Sequence, residues 1–211
     1  MTHPRGRLTN AQRRGLEEVL PEYVVVVDDN STSRWFGRDA PLGVEIGFGM
    51  GDALCNWASD VPDWNLLGID IYIPGIGALV NRLSADGVTN VRVAQGRAEE
   101  FVAERLPASS VDEFRIFFPD PWPKKRHHKR RLIQPQFVAS MVERLKVGGL
   151  VWFVTDWAPY AEWALDVFDK SPNLTPRESP KTGAPARSET KFERRGLRLG
   201  HVITELVYTR V

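Results

Sequence analysis

Cysteine is almost absent from this chain. Cys55 stands alone among 211 residues, which excludes an internal disulfide and any thiolate metal cluster and points to a reducing compartment. Long apolar runs are missing too. None approaches the roughly 20 residues that span a bilayer, and no apolar core follows Arg5 and Arg7 as a secretory signal requires. A cytoplasmic protein with no membrane partner is the expectation. A global charge excess is also lacking, because 28 Lys and Arg face 27 Asp and Glu for a net charge of +1. The four histidines form no ligand set at metal spacing, so no metal is expected.

What the chain does have is concentrated. Residues 124–131 carry six positive charges and two histidines, more than the net charge of the whole chain, so the remainder is acidic on balance. A basic patch on a near-neutral body suits docking to a polyanion. A solvated charge run is the alternative, but like charges this dense repel one another, and nucleic acid is the favoured partner.

Residues 1–40 read as an N-terminal extension, partly flexible, with a helix that starts at Thr9-Asn10 and is stopped by Pro21. A β-branched run at 23–27 has no evident partner, and 28–37 has loop composition. Residues 41–211 read as one domain. Apolar runs at 44–48, 65–70, 90–94, 111–118 and 150–155 alternate with helical stretches at 52–59, 76–85, 98–105, 135–146 and 159–170, the lengths of βαβ units. Four prolines make 171–188 a mobile connection, Phe192 opens a last strand or turn, and 202–209 alternates like a half-buried antiparallel edge strand. The fold class expected is α/β: a doubly wound, mostly parallel sheet with a closing antiparallel pair at its C-terminal edge. Such sheets bind ligands beyond the carboxyl ends of their strands, near the switch in strand order.

The polar candidates fall at those ends. Glu45-Ile46-Gly47-Phe48-Gly49-Met50-Gly51 closes the first strand. Gly47, Gly49 and Gly51 permit a tight turn and close approach to a ligand, although such loops also exist only to turn. Glu45 repels a pyrophosphate and suits a cationic amino-acid head, which favours S-adenosylmethionine over NAD. Asp70 follows Gly51 by 19 residues, where nucleoside-binding folds hold ribose hydroxyls; a helix N-cap before Pro74 is the other reading. Pro119, Pro121 and Pro123 remove three N–H donors and hold Asp120 on an extended, stiff mount. Trp122 either stacks on an extruded base or plugs the loop. Asp156 brings a second carboxylate to the same rim or caps the next helix. Thr190-Lys191-Phe192-Glu193, with His201 beyond it, closes over the site or merely begins a strand.

Phe-Phe-Pro-Asp-Pro-Trp-Pro-Lys-Lys-Arg-His at 117–127, followed by Lys129-Arg130-Arg131, together with Glu-Ile-Gly-Phe-Gly-Met-Gly, Thr155-Asp156-Trp157 and Thr-Lys-Phe-Glu at 190–193, resembles the bacterial tRNA (guanine-7-)-methyltransferases. The likeness covers most of 42–210. It implies a Rossmann-like methyltransferase that moves the methyl group of S-adenosylmethionine to a guanine in the tRNA variable loop, forming 7-methylguanosine. By the family's pattern Glu45 and Asp70 match donor ligands beside the glycine loop, and Asp120 matches a residue of both the donor site and catalysis. Lys124, Asp156 and Thr190, Lys191, Phe192 and Glu193 match substrate contacts. Arg126, His127, His128, Lys129, Arg130 and Arg131 match an RNA-contacting strip. One position departs: Arg97 stands in the donor site where the family has an acidic residue. A guanidinium accepts no hydrogen bond, so a backbone carbonyl or Glu99 replaces the missing acceptor, or donor binding weakens. The partners expected are tRNA and, at most, a second copy in a weak homodimer.

Guanine N7 carries a lone pair and no proton, so its methylation requires no general base; alignment and the field around the migrating charge set the barrier. Asp120 is expected to hold the Watson–Crick edge of the base, and the basic strip to supply salt-sensitive affinity. The alternatives are an exocyclic-amine methyltransferase acting on RNA or DNA, a nicotinamide oxidoreductase, and a tRNA-binding protein with an inactive methyltransferase fold. Glu45 and the lack of a Tyr-x-x-x-Lys pair weigh against the oxidoreductase, whereas Arg97 sustains the last.

Overall fold

The apolar runs assemble side by side as parallel strands. In the computed structural model, which describes residues 7–25, 32–178 and 189–211, β1 (Leu42–Ile46) pairs with β2 (Asn65–Asp70) on one side and with β4 (Val111–Phe117) on the other. β3 (Val91–Gln95) joins β2, and β5 (Leu145–Thr155) joins β4, all in parallel. β7 (Thr204–Arg210) then pairs antiparallel with β5, and β6 (Leu174–Arg177) antiparallel with β7, giving the order β3-β2-β1-β4-β5-β7-β6. The doubly wound, mostly parallel sheet with an antiparallel close is therefore the one expected from the sequence.

Alternate side chains of each strand point to opposite faces. Val44, Ile46, Phe114, Ile116 and Phe153 meet α3 (Thr32–Phe36), α6 (Ala98–Glu104), α7 (Pro135–Arg144) and α8 (Ala158–Asp169). Leu66, Val91 and Val93 meet α4 (Asp52–Asp60) and α5 (Ile73–Ala85). Phe153 is wholly buried, 5.3 Å from the Tyr160 ring and 6.1 Å from that of Phe168; truncating such a side chain to Ala costs about 3–5 kcal/mol. Among the described residues no helix is long and apolar enough to cross a membrane.

Several expectations are corrected. β5 starts at Leu145, where a helix was expected to run to 146, and Gly148-Gly149 lies inside the strand at a register shift between Val111 and Glu113. A bulge absorbs the extra residues, and Gly148 supplies its positive φ of 81°. β7 is an inner strand, because β6 pairs outside it. Pro176 is tolerated in β6 since an edge strand needs no second ladder of donors. Thus part of the expected mobile connection is a strand; residues 179–188 lie outside the described residues. Phe192 belongs to α9 (Lys191–Arg198), not to a strand, because the Thr190 hydroxyl accepts the Glu193 N–H at 3.1 Å and caps a helix.

At the N-terminus α1 (Asn10–Arg14), a π-helical turn (Gly15–Val19) and α2 (Leu20–Tyr23) run together along α5. Thr9 and Gln12 form a reciprocal capping box at its start, and Pro21 sits in the first turn of α2 rather than stopping the helix. Two glycines set the crossing. A Cβ on Gly15 would lie 2.3 Å from the Gly77 carbonyl oxygen, and one on Gly77 would lie 2.4 Å from that of Gln12. The run at 23–27 finds its partner at the edge of β3, where the Val25 N–H donates to the Val93 carbonyl at 3.0 Å. Its last residues, 26 and 27, residues 28–31 of the expected loop and Arg5 lie outside the described residues, while 32–36 of that expected loop is the helix α3.

Candidate active site

Strand order reverses between β1 and β4, and the crevice at their carboxyl ends is walled by the glycine loop. Gly47, Gly49 and Gly51 have φ of 74°, 58° and 83°, the left-handed region that a Cβ disfavours. Asp70, at the end of β2, braces this loop: one carboxylate oxygen accepts the Gly49 N–H at 2.8 Å and the other accepts the Tyr72 N–H at 2.8 Å. Tyr72, not Asp70, is the N-cap of α5, so the capping alternative does not describe this carboxylate. The first turn of α5 presses on the same loop, since a Cβ on Gly75 would meet the Gly49 carbonyl oxygen.

Glu45 is the most unusual group. It is 3% exposed, and its Oε2 has no hydrogen-bond partner. Burial pushes its carboxyl up to about 8; Arg115, its register partner on β4, pulls down and Asp70 pushes up. Burial also raises Asp70, against the backbone N–H groups of Tyr72 and Gly49, with a further push from Asp120. Glu45 thus feels Asp70, and Asp70 feels Asp120, across three adjacent strand ends. A buried carboxylate oxygen lacking a donor is costly unless a ligand completes it, and a cationic head group is the chemistry that does so.

The 118–131 segment is not uniformly extended. Phe118 and Trp122 have φ of 51° and 43°, which is uncommon for bulky residues and clusters at functional sites. The prolines fix their own φ, so the turns fall on the residues between them. Phe118 is anchored by its N–H to the Val154 carbonyl at 2.8 Å, and Asp120 projects to solvent. Trp122 acts as a plug: its ring meets His127 edge-on at 5.8 Å, and the Arg130 guanidinium lies 5.0 Å from its centroid.

Lys125–Arg130 form a 3-10 turn. Lys124, Lys125, Arg126, Lys129 and Arg130 are exposed, while His127 and His128 are half-buried. Arg131, expected in the RNA-contacting strip, is 2% exposed and turns inward to the carbonyls of Pro121 and Pro159. A guanidinium with that burial has no surface left for a phosphate.

Asp156 follows β5 and meets α9. Its Oδ2 lies 3.0 Å from His201 Nδ1, and a Cβ on Gly196 would lie 2.9 Å from the same oxygen. Trp157, not Asp156, is the N-cap of α8. Phe192 stacks on Phe118 at 6.5 Å, so α9 brings Thr190, Lys191, Phe192 and Glu193 beside the segment that carries Asp120. Arg97 is the N-cap of α6 and pairs with Glu99 at 3.0 Å and Glu100 at 3.1 Å. Arg115 and Glu113 escaped the sequence reading; two opposite charges inside the apolar run of β4 were the available signal.

A family model described as "Putative methyltransferase" matches residues 39–206. The tRNA (guanine-N(7)-)-methyltransferase of Pseudomonas syringae pv. syringae is 42% identical, with 98% of this chain and 86% of that protein covered. Its namesake from Verminephrobacter eiseniae is 45% identical over 97% of this chain and 79% of that protein. Among solved structures, the 16S rRNA methyltransferase KamB superposes with a TM-score of 0.61 at 17% identity, over 89% of this chain and 98% of that one, a likeness of fold.

Proposed function

The chain belongs to the tRNA (guanine-N(7)-)-methyltransferase family, and from that premise we propose that it methylates N7 of a guanine in the variable loop of tRNA, with S-adenosylmethionine as donor. The observation that carries the donor assignment is the unpartnered, buried Oε2 of Glu45 at the base of the glycine loop. The residues fit that donor. Glu45 takes its ammonium, the loop at 47–51 lets the backbone approach it, and Asp70 keeps lone pairs beyond its two backbone donors for ribose hydroxyls. The bound donor supplies a methyl group activated on a sulfonium.

The chain's own residues do the rest. Asp120, on a mount fixed by Phe118 and Trp122, accepts the N1–H and exocyclic N–H donors of guanine and offsets the positive charge that grows on the ring. No side chain removes a proton, because N7 offers a lone pair. Asp156, held by His201, and Thr190 through Glu193 of the α9 start flank the base. Lys124, Arg126, His127, His128, Lys129 and Arg130 meet phosphates, which sets affinity without choosing the base. Residues 41–211 form the catalytic domain and 1–40 an N-terminal extension, of which 10–23 docks on α5; the enzyme works in the cytoplasm as a monomer or weak homodimer.

Incubation with unmodified tRNA and donor, then nucleoside mass spectrometry, should give 7-methylguanosine, and reduction with aniline cleavage should map it to the variable loop. An exocyclic methylguanosine or methyladenosine would select the rival enzyme, and tRNA binding with neither donor binding nor product would select the inactive fold.

A further inference from the structure

A buried cation lies beneath the crevice, where the sheet alone has no need of one. Arg115, in the middle of β4, is 3% exposed and donates through Nε to Glu113 Oε1 at 2.6 Å. Its guanidinium carbon lies 3.7 Å from the Trp57 ring centroid and 5.2 Å from that of Trp152. The group separates two apolar clusters on the same face, one around Leu54, Trp57 and Leu66 and one around Phe117, Trp152 and Val154. A desolvated Arg–Glu pair is seldom more stable than apolar side chains of equal volume. Nη2 of Arg115 has no hydrogen-bond partner, and neither does Oε2 of Glu45 on the neighbouring strand.

We propose that Arg115, held by Glu113 and by the Trp57 and Trp152 rings, is a positioning residue for the donor: it sets the charge with which Glu45 receives the donor's cationic head. This rests on the assignment of Glu45 as a donor ligand. Glu45, Glu113 and Arg115 share one buried face. With Glu45 protonated the trio is neutral; with Glu45 ionised it carries one negative charge, which one ammonium balances. Donor binding therefore expels a proton from Glu45, and Arg115 determines the pH at which that happens. The other groups facing Glu45 are Asp70 from β2, which opposes ionisation, and Cys55 from α4, whose thiol burial pushes up to about 11 and so stays neutral.

S-adenosylhomocysteine carries the same amino-acid head, and its own amino group titrates identically against every variant. Calorimetric titration with it between about pH 5.5 and 9, in buffers of different ionisation enthalpy, reads both affinity and protons released. Arg115→Met should move the midpoint of the affinity profile to higher pH by about one unit, and Glu113→Gln should move it to lower pH by a similar amount. Arg115→Lys should stay near the wild type. A purely structural role would lower Tm in all three and leave the midpoint in place, which would overturn the proposal. If Arg115→Met fails to fold, the direction of the Glu113→Gln shift decides alone. Glu45→Gln separates the two ideas. Unchanged affinity there removes Glu45 from the donor site and the proposal with it, whereas weakened binding there beside unmoved midpoints in the other variants removes only the role of Arg115.

Discussion

The guanidinium of Arg131 reaches back ten residues to the carbonyl of Pro121, 3.0 Å away. It also donates to Pro159 at 3.1 Å and lies over the rings of Tyr160 and Trp163 at 5.0 and 5.8 Å. One end of the basic run is thereby bolted to the segment that carries Asp120, and the five exposed cations before it are presented on a closed turn.

Arg131→Ala should lower the unfolding free energy by about 1.5–3 kcal/mol, the range for hydrogen bonds to a charged group. Lys129→Ala, at an exposed position, should stay within about 0.5 kcal/mol of the wild type. Denaturant titration of the two variants checks both.

Removing any one of Lys124, Arg126, Lys129 or Arg130 should weaken tRNA binding and flatten the slope of log K against log salt by about 0.7 to 0.9 per charge. The same plot for Arg131→Lys, compared at equal folded fraction, should keep the wild-type slope.

Asp120→Asn should reduce turnover on the order of 100-fold, the scale of losing one preorganised electrostatic contact. Filter binding should show tRNA affinity within about threefold of the wild type, because an exposed carboxylate contributes nothing attractive to phosphates.

Glu45 makes donor-free stability fall with rising pH. Its native carboxyl holds a proton up to about 8, against an ordinary 4.5, so between those values the native state binds more protons than the unfolded chain. Stability from this group is complete below 4.5 and is lost as pH climbs through about 8, by up to roughly 1.4 kcal/mol per pH unit. Glu45→Gln should flatten that dependence in a series of Tm measurements.

Gly196→Ala should push α9 away from Asp156, since the new methyl would sit 2.9 Å from its Oδ2. KM for tRNA should rise several-fold while donor affinity is unchanged. His201→Ala, which removes the partner at 3.0 Å, should shift KM in the same direction.

The strands of the parallel core were legible because each is an apolar run bounded by turn residues, and the strand ends led directly to Glu45, Asp70, Asp120 and Asp156. α9 was hard to read: its cations at 191, 194, 195 and 198 do recur at helical spacing, but Phe192 and Leu197 are its only large apolar residues and form no buried stripe. The Thr190 to Glu193 spacing of its cap was the clearer mark. The inward turn of Arg131 was equally hidden, since six formally equal charges say nothing of which one finds two carbonyls. Left-handed φ at Phe118 and Trp122 followed from tertiary anchoring, which overrides the extended bias that the neighbouring prolines impose.

The crossing of the N-terminal helical stretch over α5 makes Gly15 and Gly77 one genetic unit. A methyl group at either position separates the same two backbones, and once they are apart the second methyl meets open space. The double alanine variant should therefore fall well short of the sum of its two single losses, a positive, antagonistic epistasis between residues 62 positions apart in sequence.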